Sequence, residues 1–242
     1  MTMKTWQKIG LLTCFVLLIF AIRVYFIYRE RHEPMVQQPK VAEQKLTQDD
    51  VVQPRKMYID SIASAKALDG KTVWVQSGYT LDYYPYSGHR VEFAQPAGVL
   101  PSVQALQIQD IVTEKTPADV ATRVPKGDKQ VFAVFKIPND PKDYATAIGY
   151  FQGTDSTFYC DQIFYYDDPH QMYGYWGPKV WAAIDQHYPI PGMNELQTAM
   201  ALGVLQQSQS SDIGNRTVDY VAGDKKWSVT FEHDKATAVK QD

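Results

Sequence analysis

The densest run of reactive side chains is Phe158–Trp176, FYCDQIFYYDDPHQMYGYW. Asp161, Asp167, Asp168 and His170 fall close together in it. Three carboxylates and an imidazole can hold a metal ion or pass a proton to a substrate. Their spacing matches neither the His- and Cys-rich sets of zinc sites nor the carboxylate rhythm of a calcium loop. The simpler reading is a strand that ends in an Asp-Asp-Pro turn, its carboxylates solvated or capping. Cys160 stands alone beside them, because the other cysteine, Cys14, lies in an apolar run near the chain start. A lone Cys between Tyr159 and Asp161 reads as a small buried hydrophobe. His89, His187 and His233 are far apart in sequence, and no P-loop, H-E-x-x-H, G-x-S-x-G or dinucleotide glycine pattern occurs. The chain is therefore read as non-catalytic, with no cofactor and no metal. An Asp/His-based hydrolase is an alternative.

Aromatic residues give the denser signal. Tyr83, Tyr84 and Tyr86 form one group, and Tyr165, Tyr166, Tyr173, Tyr175 and Trp176 a second. Tyrosine and tryptophan offer broad apolar faces with a polar tip, which suits a protein partner or a glycan. They also fill the cores of small β domains. These eight residues are the candidate partner-binding set. A protein partner is the leading expectation, and a glycan-binding module, with peptidoglycan as its ligand, is the alternative.

Charge narrows the partner further. Lys4, Lys8, Arg23, Arg29 and Arg31 against Glu30 give the first 31 residues +4, leaving −7 of the overall −3 to the rest. A mildly acidic body argues against nucleic acid, which needs a basic face.

The elements that must position these residues begin with Ile9 to Tyr28, IGLLTCFVLLIFAIRVYFIY. As a helix this run would be roughly 30 Å long, the thickness of a bilayer's hydrocarbon core. No small-residue cleavage site closes it, and Arg23 can snorkel while Tyr25, Phe26 and Tyr28 sit at the headgroups. The expectation is a single-pass signal anchor in the inner (cytoplasmic) membrane, with the bulk of the chain in the periplasm.

Four segments follow from this reading: 1–31, a cytoplasmic tail and transmembrane anchor; 32–56, a polar linker; 57–176, a mainly β domain; and 177–242, an α+β module. Pro34, Pro39, Pro54 and several Gln mark the linker. A short helix is expected over Met57–Leu68. Strand-like runs follow at Thr72–Gln76, His89–Phe93 and Ala105–Val112. Val131, Ala133, Phe135 and Ile137 alternate as in a strand with one buried face, and Ala145–Gln152 and Ser156–Tyr166 read as a hairpin through Gly153. Further on, Pro178 opens a helix over Lys179–His187, and Asn194 with Gln197 forms a capping box before a helix that ends at Gly203. Arg216–Val221 and Lys226–His233 read as a hairpin, and Ala236–Lys240 as a third strand.

Two helices followed by a three-stranded meander carry a family resemblance. Gly192-Met193, the helix end Ala201-Leu202-Gly203, and then Gly214, Tyr220, Trp227, Val229 and Phe231 resemble the SmpA/OmlA (BamE-like) family of envelope proteins. The resemblance covers about Pro178 to Val239. It departs where the family usually places Pro after the Leu-Gly pair, since Val204 and Leu205 follow here. It implies a BamE-like ααβββ module that mediates protein-protein interaction, with no catalytic residues to carry over. The fold class expected for the whole chain is α+β: one transmembrane helix, a small antiparallel β domain, then this module.

Overall fold

The computed structural model describes residues 17–29 and 47–242, which fall in two compact units, one ending at Thr47 and the other spanning Gln48–Asp242. In the first unit, residues 17–29 form a helix, α1, whose apolar side chains are exposed, Leu17, Phe20 and Tyr25 among them. Among the described residues no helix is long and apolar enough to cross a membrane. The expected transmembrane signal anchor, its bilayer contact through Ile9 to Tyr28, and the single-pass inner-membrane location are corrected accordingly. Residues 9–16 of that run, and residues 32–46 of the expected linker, lie outside the described residues.

The second unit is mostly β. In chain order it holds α2 (Gln48–Val51), α3 (Ile62–Ala65), a 3-10 turn (Lys66–Leu68), β1 (Thr72–Val75), β2 (Asp82–Ser87), β3 (Arg90–Val91), β4 (Gly98–Val99) and β5 (Ala105–Glu114). β6 (Lys129–Lys136), β7 (Tyr144–Gln152), β8 (Asp155–Phe158), α4 (Cys160–Ile163), β9 (Phe164–Tyr165), α5 (Pro169–Met172) and a second 3-10 turn (Gly174–Trp176) come next. The chain closes with α6 (Pro178–Asp185), α7 (Glu195–Leu202), β10 (Gln206–Gln207), β11 (Thr217–Ala222), β12 (Lys225–Glu232) and β13 (Lys235–Gln241).

Among the described residues the strands make two antiparallel sheets, of nine and four strands. This corrects the expected fold class. The described residues are mixed and largely β, helices among them are few, and the first sheet is no small domain. The larger sheet runs β3-β2-β7-β6-β5-β1-β9, with β4 beside β2 and β8 beside β7. β6 is its middle strand, and residues 130–135 are buried on both faces. The one-sided alternation expected there fails because Phe132 packs against Phe93 while Phe135 packs against Tyr144.

The smaller sheet has the order β10-β11-β12-β13, so a two-residue strand, Gln206–Gln207, extends the expected meander. Val218, Tyr220, Trp227, Val229 and Phe231 form a core with Trp181 and Ile184 of α6 and Met200 and Leu202 of α7. The alternation of β11 and β12 puts these residues on one face. α7 starts with the reciprocal capping box of Asn194 and Gln197 and ends at Gly203, whose φ of +88° suits glycine. The second core also takes in Val103 and Tyr165 from the chain segments of the larger sheet.

The helix expected over Met57–Leu68 is shorter. The backbone N–H groups of Met57 and Tyr58 donate to Asp161 rather than to a helix, at 2.9 Å each. The helix begins only where Ser61 and Ser64 form a capping box. The strand expected over Ser156–Tyr166 likewise stops at Phe158, where the chain turns into α4.

Candidate functional site

The four residues singled out for chemistry take up three separate tasks. Asp161 holds the segment ahead of α3, accepting from the Met57 and Tyr58 backbone and from the Tyr166 hydroxyl at 2.7 Å. Burial alone would raise its pKa. The hydrogen bonds from Met57, Tyr166 and Tyr58, with the Lys56 charge, outweigh burial and hold it below the usual carboxylate range. Asp167 pairs with Arg55 at 3.1 Å on the surface.

Asp168 caps α5, accepting from the His170 backbone N–H at 2.9 Å, with Pro169 in the first helical position. Its Oδ1 also lies 3.0 Å from His170 Nδ1, and the other ring nitrogen lies 2.9 Å from Asp185 Oδ1 in α6. The ring thus bridges the two carboxylates and staples α5 to the end of α6. Among the described residues no group of three or more His, Cys, Asp or Glu could hold a metal ion.

The His170 ring starts an aromatic row. It stacks on Trp181 at 4.1 Å between centroids, Trp181 stacks on Trp176 at 5.5 Å, and Trp176 stacks on Tyr173 at 4.5 Å. Tyr175 meets Trp176 edge-on at 6.2 Å. The row follows from local geometry. α5 is a single turn, the 3-10 turn follows at once, and Gly177 at φ +81° swings the chain into α6, which supplies Trp181. Trp181 Nε1 donates to the Tyr173 carbonyl at 3.0 Å, which fixes the middle of the row. Trp181 and Tyr173 are buried, His170 and Trp176 are half-buried, and Tyr175 is exposed, so the row reaches solvent at His170 and beside Trp176 and Tyr175.

A second element completes the site. Asp49 of α2 accepts from the Tyr175 hydroxyl at 2.5 Å and Trp176 Nε1 at 2.7 Å through Oδ1, and from Asn194 Nδ2 at 2.6 Å through Oδ2. Three neutral donors thus converge on one carboxylate. Burial and the hydrogen bond to Asp49 both push the Tyr175 hydroxyl pKa well above its ordinary value. Val52 packs on the second core, and Arg55 donates to the Tyr166 carbonyl at 2.9 Å. Residues 48–58 therefore lie as a strap from the aromatic row to Asp161. Nothing in the sequence near Asp49 announces this role, because every partner lies more than a hundred residues away. The Asp-Asp pair within a Gln- and Pro-rich stretch is the sole local mark.

The other candidate aromatics are distributed differently. Tyr83, Tyr84 and Tyr86 lie on β2 beside the first core, where Tyr83 meets Tyr144 edge-on at 5.1 Å and Tyr84 is buried. Tyr165 is buried in the second core and Tyr166 in the first. Of the eight, Tyr173, Tyr175 and Trp176 share the aromatic row. Cys160 is buried, and burial, with Asp161 adding to it, pushes its thiol up to about 12. His89 and His233 are exposed turn residues with positive φ, whereas His187 is half-buried and faces the Tyr79 ring edge-on. No protein family, curated protein or solved structure matches the chain, so the SmpA/OmlA resemblance rests on the residues named for it alone.

Proposed function

We propose that this chain is a non-catalytic interaction protein that holds a segment of a second protein against the aromatic row of residues 170–181. The reading is carried by one observation: Tyr175, Trp176 and Asn194 aim three donors at one carboxylate, supplied by Asp49 of the same chain, beside a stacked aromatic surface. Aromatic faces supply most of the energy at protein interfaces, and donors fixed by packing give orientation. The row is held rigid by Trp181, by the Asp168–His170–Asp185 staple and by the second core, so little ordering would accompany binding.

The test is site-specific photo-cross-linking of the full chain in the cells that make it. A photoreactive phenylalanine analogue at Tyr175 is expected to give a discrete heavier adduct. The same analogue at exposed Thr237, on β13, is the control. No adduct from position 175, or the same adducts from both positions, overturns the reading.

A further inference from the structure

We infer that residues 48–58 are a resident pseudo-ligand of the aromatic row. The segment of a partner taken there is a peptide that forms one helical turn, bearing an acidic residue followed, three positions on, by a branched aliphatic one. The inference rests on the interaction reading above and adds the identity of the ligand class.

The strap shows what the site selects. Asp49 is held by the Tyr175 hydroxyl, Trp176 Nε1 and Asn194 Nδ2, and hydrogen bonds to an ionised acceptor are about twice as strong as neutral ones. No positive charge is among those donors, so the carboxylate is recognised by geometry and by its lone pairs. A neutral amide in its place brings an N–H toward donors and loses part of the set. Val52, three residues on and on the same side of the α2 turn, packs against the second core. Val51, between them, is exposed, 68% accessible.

The end of the strap at the row is also built to let go, while Asp161 keeps hold of Met57 and Tyr58. α2 is one turn long and contains no buried residue. The Arg55–Asp167 ion pair is about half exposed at both side chains, and such pairs contribute little. Segments with few buried apolar contacts open at low free energy. Joined to the body, the strap faces the row at an effective concentration on the order of millimolar, so even a weak contact keeps the site covered. A partner segment of the same signature must displace it, which makes the strap an autoinhibitory contact.

The experiment uses the full chain and a fluorescent synthetic peptide of residues 48–58, read by anisotropy. The Asp49→Ala chain, whose own strap is released at the row, is expected to bind the peptide at least ten-fold more tightly than the unaltered chain. Asp49→Asn, which preserves side-chain volume, is the second opener and is expected to act in the same direction. Peptides with Ala in place of Asp49 or of Val52 are expected to lose ten-fold or more. Adding Trp176→Ala to the Asp49→Ala chain is expected to abolish binding. Equal binding by the unaltered and opened chains, or by the altered peptides, overturns the inference. A dimer of the unaltered chain that dissociates on Asp49→Ala also overturns it, by reassigning the strap to exchange between copies. Failure here with a cellular adduct at Tyr175 leaves the interaction reading in place, and peptide binding without any adduct does the reverse.

Discussion

Gly203, at the end of α7, lies against the carbonyl of Gly78 so closely that a Cβ there would stand 2.6 Å from the oxygen. Its φ of +88° adds a backbone penalty for any other residue. Gly203→Ala is expected to cost about 3 kcal/mol, from strain and overpacking together. Gly78→Ala meets Ser102 Oγ at 1.9 Å and the Ser102 backbone nitrogen at 2.4 Å. The Ser102→Ala change is therefore expected not to rescue it, since the backbone clash remains. Urea unfolding of the two single variants and the double variant checks both points, and a loss under 1 kcal/mol at Gly203 would contradict the close approach.

Asp161 makes stability acid-sensitive. Its folded pKa lies below the unfolded value of about 3.9, so in acid the unfolded chain binds more protons than the folded one. Its contribution is present above that unfolded value and is lost as pH falls through the folded one. Thermal melts between pH 5 and pH 2 are expected to show a steeper fall for the unaltered chain than for Asp161→Asn. At neutral pH the same substitution is expected to cost about 1–3 kcal/mol, because it weakens the anchoring of Met57, Tyr58 and Tyr166.

His187 titrates with the opposite charge chemistry. Burial, the largest influence, lowers its pKa, partly offset by the Ala201 carbonyl and Asp185. The folded chain then keeps the ring neutral while the unfolded chain protonates near pH 6.5. Stability is expected to decline as pH falls from about 6.5 toward the folded value, and to level off below it. His187→Asn, whose side chain tolerates the local φ of +53°, is expected to remove that step from a pH series of melts.

Glu195 and Arg216 form the most enclosed ion pair among the described residues, with side chains 11% and 14% exposed. Glu195 accepts from Arg216 Nε at 3.1 Å and Nη2 at 2.6 Å, and from the Gly214 N–H at 2.6 Å. Arg216→Met leaves the carboxylate enclosed without its cation and is expected to cost about 3–5 kcal/mol. Adding Glu195→Gln is expected to recover part of that loss, which a double-mutant cycle in urea would register as non-additivity.

What could be read in advance was whatever depends on near neighbours. The Asn194–Gln197 capping box, the Gly203 stop and the alternation of Trp227, Val229 and Phe231 all follow from spacings of a few residues. The burial of β6 on both faces does not, because alternation cannot say what covers the second face. Tyr175 and Trp176 stand out as a dense aromatic patch. Their carboxylate partner does not, since Asp49 lies 126 and 127 residues earlier. Tyr83, Tyr84 and Tyr86 looked equivalent to that patch by type, yet β2 pairs with β7 and carries them to the other core.

The contacts of the strap join residues separated by 103 to 145 positions. During synthesis at about 5–20 residues per second, its docking surface leaves the ribosome about 5 to 30 seconds after the strap itself. The earliest part of this unit to emerge thus cannot settle until Asn194 has followed it. Until Asn194 has emerged, residues 48–58 are free to be claimed by another chain, and the nascent protein has a time window that the finished one has closed.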